Sequence, residues 1–363
     1  MILYIAIAII FLFVLIIAAT YQPNQIIVSQ ENRFIDRKIP YDKILFCLIV
    51  VFLWFLTAFR GRNIGNDTVP YLNYFVRIKQ SGVNKNYAIE LGYQYYCLIL
   101  GKITQNENAI LIVTATICYL GVGVYTLKYS DNLMFSLLLL FCICFSMFTN
   151  ILRQNIAMVV CLYAYQCLKN KKHIWFVLLV LFASTFHTSA LVVFVLFFNR
   201  LLPKNIYVIF LVAIILIFLS ATNIISNLLR RVLTEYDSYF DGQYANSGWL
   251  AVTYSLLRAS VFVIIVFSSY RGELGSNRLI LTNFAMLLFM SCLGYSVNLF
   301  TRASEYFLMI SIVELPNAVM RFSVKRRKLL TFITGFVMLT YFFVAIIFRP
   351  EWNHLYPYEF WSV

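Results

Sequence analysis

Long apolar runs separated by short polar breaks make up most of this chain. Runs suitable for membrane spans fall at 2–20, 44–59, 109–127, 132–148, 154–169, 205–221, 250–269, 279–299, 304–320 and 329–348. A hydrocarbon core about 30 Å thick takes roughly 20 helical residues, and lipid offers no partner to an unpaired backbone group. Runs of this length exclude a β-barrel. The pattern therefore predicts an all-α, polytopic integral membrane protein of about 10–12 transmembrane helices with re-entrant segments. With no internal repeat or low-complexity linker, it reads as a single membrane domain over 1–363. Two segments are ambiguous. The run 89–104 is short and amphipathic, and 174–199 is long but interrupted by His187-Thr188-Ser189. No basic residue precedes the run Met1–Thr20, so it predicts a first span and not a cleavable signal peptide.

Charge turns the runs into a topology. The chain is 62% apolar, 18% aromatic and only 12% charged, yet its net charge is +14. Most of the excess lies in short loops, at Arg33/Arg37/Lys38/Lys43, Lys169/Lys171/Lys172, Arg200/Lys204, Arg271/Arg278 and Arg321/Lys325/Arg326/Arg327/Lys328. The positive-inside rule accounts for that distribution, so nucleic acid is not expected as a partner. Placing every basic loop in the cytoplasm requires an even number of crossings between Lys172 and Arg200. The 174–199 run then becomes a hairpin, re-entrant or of two short crossings, turning near His187. The same count makes 60–108 one external region, with Glu90–Thr104 along the interface or dipping in, and 222–249 a larger external loop. In the alternative, each ambiguous segment crosses once, which buries the Arg60 loop between internal crossings. The eight cysteines form no CxxC pair and lie mostly in apolar runs, as small buried hydrophobes do.

The cations left outside need a reason other than topology. The stretch Ala58–Phe75, AFRGRNIGNDTVPYLNYF, is polar between apolar runs. Arg60 and Arg62 sit at a boundary where a guanidinium reaches water while its stem stays in apolar surroundings. Two arginines on a turn can clamp a phosphate. Asn66-Asp67-Thr68-Val69-Pro70 reads as a helix cap and first turn, which puts Tyr71, Tyr74 and Phe75 on one face. Arg153 heads the 154–169 span, either as a snorkelling helix-end cation or as a phosphate contact. Arg258 lies eight residues inside a span, where a cation costs roughly 2.5–3.5 kcal/mol and pairs for structure or serves function. Arg302, Glu305 and Tyr306 share a helical face at a span end, where a plain ion pair is the simpler reading.

Other polar groups carry candidate chemistry. His187 is one of three histidines and breaks an apolar run. It is either a core imidazole bonded to a carbonyl or a base facing a cavity. Glu90, in AIELGYQYY, opens a helix where the dipole favours an acid. The loop 234–244 mixes acids with Tyr236 and Tyr239, a composition suited to sugar binding and equally to a lid. The sequence holds no DxD, HExxH, GxxxxGK[ST] or GxSxG, so neither a metal nor a bound cofactor is expected.

Taken in order, FRGRNIGNDTVPYLNYF, AIELGYQYY, ILRQNIAMVVCLYAY, FASTFHTSALVVF and YPYEFW resemble the EpsG family. These are Wzy-like polysaccharide polymerases of bacterial capsule, exopolysaccharide and O-antigen clusters. The resemblance implies a GT-C-like glycosyltransferase that moves a growing glycan from undecaprenyl diphosphate to the non-reducing end of a second lipid-linked repeat unit. It also implies an inner-membrane enzyme whose site faces the exterior, working without a metal. A chain-length regulator and a flippase of the same pathway are implied partners. On that reading Arg60, Arg62, Arg153 and Arg302 meet the diphosphates, with Arg258 deeper on the donor. His187, Asp67 and Glu90 are the candidate bases, and Tyr71, Tyr93, Tyr236, Tyr239 and Glu305 hold sugars. The related ligase reaction, and a flippase or transporter of lipid-linked sugars, are the competing readings.

Overall fold

In a computed structural model, residues 2–21, 41–202, 205–222, 224–232 and 249–361 are described. Among them the regular structure is helical, with one isolated bridge between Arg60 and Phe360. The helices are α1 (Ile2–Thr20), α2 (Tyr41–Ala58), α3 (Thr68–Ser81), α4 (Leu91–Ile103), α5 (Ala109–Tyr129), α6 (Leu133–Asn150) and α7 (Leu152–Lys169). They continue as α8 (His173–Ser184), a 3-10 helix (Thr188–Phe198), α9 (Ile206–Ala221), α10 (Ile224–Val232), α11 (Trp249–Ser269), α12 (Arg278–Leu293), α13 (Asn298–Met320) and α14 (Val324–Phe348). Six of these are long and apolar enough to cross a membrane: α1, α2, α5, α6, α11 and α14. The apolar helices α8, α9, α12 and the 3-10 helix are shorter.

Contacts sort the chain into two compact units, where the sequence pattern gives a single domain. The first comprises residues 1–82, 97–152 and 319–363; the second comprises 83–96 and 153–318. In the first unit, α6 is buried almost all round and is packed by α1, α2, α5 and α14. A helix apolar on every side suits that central place. Its neighbours are two-faced in another sense. On α1, Ile7, Phe11, Val14 and Ala18 are buried, while Ile5, Ile9, Phe13 and Ile16 are exposed. The same holds for Leu48, Val51 and Phe55 on α2 and for Phe332, Phe336 and Ile347 on α14. Each such side chain forgoes about 1.5–3 kcal/mol in water and nothing in lipid, so these outward stripes are what a multi-pass membrane protein presents.

The second unit is built on α11 against α12, α12 against α9, and α8 against the 3-10 helix. The last pair is the hairpin that the charge count requires. Twelve α-helical residues rise roughly 18 Å and eleven 3-10 residues roughly 22 Å, both short of the bilayer core. The chain reverses at Thr185–His187, where the His187 amide bonds the Ala183 carbonyl. The segment 89–104 forms α4, and 13 residues are likewise too few to cross. Of the expected 222–249 loop, α10 fills the first part; Tyr236 and Tyr239 lie outside the described residues.

Candidate active site

The second unit gathers seven of the polar residues singled out from sequence, starting with Glu90. The loop before α4 is held by Gln94, which is fully buried and bonds the Asn84 amide, the Asn84 carbonyl and the Ile89 carbonyl at 2.9, 3.2 and 2.7 Å. Two residues earlier, the Gly92 amide donates to the Thr185 carbonyl at 2.9 Å. A Cβ at Gly92 would lie 2.6 Å from that oxygen and 2.8 Å from its carbon, so only glycine lets the start of α4 lie against the Thr185–His187 turn. This backbone contact brings together residues nearly a hundred positions apart.

Glu90 binds on both sides. Its Oε1 accepts from His187 Nδ1 at 2.8 Å and from the Thr188 amide at 3.1 Å. Its Oε2 accepts from Arg153 Nη1 in an ion pair. Burial works to raise the Glu90 pKa, but the His187 hydrogen bond and the Arg153 and His187 charges outweigh it and hold the carboxyl at about 2. So strong an acid is a poor proton acceptor near neutral pH. What it does well is orient its neighbours. An ionised carboxylate can only accept, so Nδ1 carries a proton, and whenever the ring is neutral its lone pair falls on Nε2. The side chains of His187, Glu90 and Arg153 are 16, 17 and 20% exposed, enough to be reached.

Next to Arg153 on the first turn of α7, Gln154 faces a second group. Its Nε2 donates to the Arg302 carbonyl and to Glu305 Oε2, both at 2.8 Å. Arg302 and Arg258 act electrostatically on the Glu305 carboxylate, and the Arg258 guanidinium lies 5.2 Å from the Tyr254 ring centre. Tyr306, following Glu305, shares a hydrogen bond of 3.1 Å with Ser189, two residues beyond His187. The contacts therefore close a circuit: Glu90 to Arg153, along α7 to Gln154, across to Glu305, along α13 to Tyr306, across to Ser189, and back through His187 to Glu90. Three cations and two carboxylates stand around this ring.

The remaining candidates are elsewhere. Arg60, Arg62, Asp67 and Tyr71 belong to the first unit. Arg60 is 1% exposed, with Nη1 bonded to the Thr57 carbonyl at 2.6 Å and Nε to Thr68 Oγ1 at 3.2 Å. Its loop is strapped to the segment after α14. The Gly61 amide bonds the Glu359 carbonyl, the Gly65 amide bonds the His354 carbonyl, and the Trp361 amide bonds the Phe59 carbonyl, at 2.8, 3.0 and 2.9 Å. Gly65 has φ 85° and lies where a Cβ would stand 2.3 Å from the Thr149 carbonyl oxygen. The polar stretch is thus a buried joint, and the clamp expected of Arg60 is occupied by its own chain. Arg62 is exposed and ion-paired with Glu107. Asp67 stands at the N-cap of α3 without a side-chain cap bond. Tyr71 and Tyr93 are 6% and 0% exposed, so neither ring offers a face to a sugar.

The EpsG family profile matches residues 43–360. The chain belongs to the EpsG family. That span takes in both units' polar clusters, from the Arg60 joint through Glu90 and His187 to Glu305. Membership makes this EpsG-family protein a membrane polymerase of polysaccharide biosynthesis, of glycosyltransferase type. No curated protein and no solved structure matches the chain. Among the described residues, no group of three or more His, Cys, Asp or Glu is placed to hold a metal ion. Sequence reasoning did not assign Gln154, Thr188, Ser189, Tyr306 or Gln94 to the site. The one signal they gave was polarity within apolar helices, which is shared by many residues that only bond their own helix.

Proposed function

We propose that this protein is a Wzy-type polymerase. It transfers a growing glycan from undecaprenyl diphosphate to the non-reducing end of a second lipid-linked repeat unit, with inversion, on a GT-C-like scaffold. In the step itself the acceptor hydroxyl oxygen bonds the donor's anomeric carbon and the bond from that carbon to the diphosphate oxygen breaks. The electron pair leaves with undecaprenyl diphosphate, and the hydroxyl proton passes to Nε2 of His187. Glu90 fixes the imidazole tautomer and supports the imidazolium that forms. Negative charge grows on the leaving diphosphate, and fixed cations are what that transition state needs. Arg153, Arg302 and Arg258 supply them, each charge-assisted bond contributing roughly 1.5–3 kcal/mol.

The observation that carries this reading is the Glu90 carboxylate shared between His187 Nδ1 and Arg153. It holds the residue proposed as base beside the cation proposed to bind phosphate, which is what supports the reading. Orientation follows from α7, which has Arg153 in its first turn and Lys169 at its end, followed by Lys171 and Lys172. With the lysines in the cytoplasm, the Glu90–His187 end faces outward across the bacterial inner membrane. There it would receive substrate from a flippase and work beside a chain-length regulator.

The test is a polymerisation assay on purified protein, given a lipid-linked repeat unit in EDTA without nucleotide sugar or ATP. A product ladder spaced by one repeat is expected, and it should collapse in His187→Ala and Arg153→Ala while both variants melt as cooperatively as wild type. A single transfer onto a foreign acceptor with no ladder would point to the ligase. No transfer at all, with lipid flipping in vesicles, would overturn the proposal.

A further inference from the structure

At the other end of α7, roughly 24 Å from Arg153 by helical rise, the second unit has a cleft of about 720 Å³. Lys169, Lys171, Arg200 and Arg278 line it, together with apolar side chains such as Phe197, Leu279 and Ile280. Lys169 is neutralised by Glu314, whose carboxylate it meets at 2.5 Å. Lys171, Arg200 and Arg278 have no acidic partner among the described residues; Arg278 donates to the Arg200 carbonyl at 2.8 Å, which holds the two cations together. Lys171 and Arg200 are exposed and Arg278 is half-buried, so all three cations are open to a ligand, and a cleft lined by one sign of charge concentrates anions.

Two further observations agree. Helices α8 and α12 both start at the cleft, with His173 and Arg278 as their first residues. Neither has a side-chain cap bond or an acid in its first turn. A helix start carries partial positive charge and normally takes an acid there; these two carry basic residues instead. The backbone at Lys171 is also unusual. Lys171 closes α7 with φ 59°, in the left-handed region, and the Lys172 amide reaches back to the Cys167 carbonyl while the Lys171 amide reaches Leu168. That helix end favours glycine. A lysine held there at a cost of about 1–2 kcal/mol is there for its side chain, which lines the cleft.

We infer that this cleft binds a phosphate-bearing anion, with Lys171, Arg200 and Arg278 as its ligands, at a site separate from the Glu90–His187 centre. The apolar side chains in the lining suit an amphiphile such as a phospholipid, whose headgroup phosphate would meet the cations, and free phosphate or diphosphate shares the same recognition chemistry. In the orientation proposed above the cleft opens to the cytoplasm, although binding itself does not depend on that assignment.

The experiment uses full-length protein in zwitterionic nanodiscs, titrated separately with a short-chain phosphatidic acid and with inorganic pyrophosphate. Saturable binding that weakens with salt is expected. Arg200→Gln/Arg278→Gln should weaken it at least tenfold. Lys171→Gly should weaken it by a similar factor while melting no lower than wild type, because glycine relieves the backbone as it removes the charge. Saturation by the lipid alone would assign a headgroup, and saturation by pyrophosphate as well would assign phosphate in general. No saturable binding of either probe, or equal binding by wild type and Lys171→Gly, overturns the inference.

Discussion

Glu90→Gln changes one atom and separates orientation from bulk. The wild-type carboxylate accepts from His187 and the Thr188 amide on one oxygen and from Arg153 on the other. Glutamine presents one acceptor and one donor, so it meets a donor on one side with a donor. Either His187 loses its tautomer or Arg153 loses its anchor. The size of the loss follows from the acid itself, which is held at about 2 against ~4.3 for a free glutamate. At 1.36 kcal/mol per pH unit, that is about 3 kcal/mol in favour of the ionised form. Because the side chain is 17% exposed, solvent screening trims this, and a stability loss of about 2–3 kcal/mol is expected. Polymerisation should fall by about 10²–10⁴, the range for a base left without its orienting partner. The decisive assay is a double-mutant cycle on single-turnover rates. If Glu90 works through His187, Glu90→Gln should cost little further in a His187→Ala background. Independent, multiplying effects would refute the reasoning, and so would Glu90→Gln within threefold of wild type.

Three more outcomes follow from the same contacts. Gly92→Ala forces backbone apart where α4 meets the Thr185 carbonyl, so activity should drop at least tenfold, with a lower melting temperature; a fully active, equally stable variant would remove the contact from the account. Arg60→Ala should act on stability, costing about 1–3 kcal/mol per buried polar group left without its bond, while the folded fraction polymerises at a near wild-type rate; a stable but inactive protein would restore Arg60 to the diphosphate. The third outcome is a pH dependence. A depressed carboxyl contributes stability that is present above its unfolded pKa and lost as pH falls through its folded one. The melting gap between wild type and Glu90→Gln should therefore be constant above about pH 5 and close between about pH 4 and 2.

The spans were written plainly in the chain. The expected 2–20 run is α1, the 109–127 run begins with α5, and 205–221 lies within one residue of α9, because lipid makes continuous apolarity a sufficient signal. The hairpin at His187 was legible too, since loop charges fix the parity of crossings whatever the helix type. The partnerships of the site were not legible. Glu90 and His187 are 97 residues apart and Arg153 is 63 from Glu90, and no periodicity links residues at such separations. Arg60 misled for a related reason. An arginine beside glycines at a membrane boundary looks the same in sequence whether its fork faces substrate or its own chain, and only the folded loop, where Thr57 and Thr68 take the guanidinium, decides it. The resemblance made Tyr71 and Tyr93 sugar platforms, but a tyrosine ring is equally good at filling a helix interface.

The strapped joint also bears on how the protein comes to be assembled. Asn63 and Glu359 meet across 296 residues, and the amides of Gly61 and Gly65 depend on the same late segment. At about 5–20 residues per second, a ribosome adds that segment roughly 15–60 s after it has made the arginine loop. For that interval Phe59–Asn66 sits at the membrane boundary without the backbone partners it will end with. The joint cannot close until synthesis has passed through α14. A nascent chain stalled before that point would carry finished helices and an open loop, and this gives membrane quality control a local mark of an incomplete molecule.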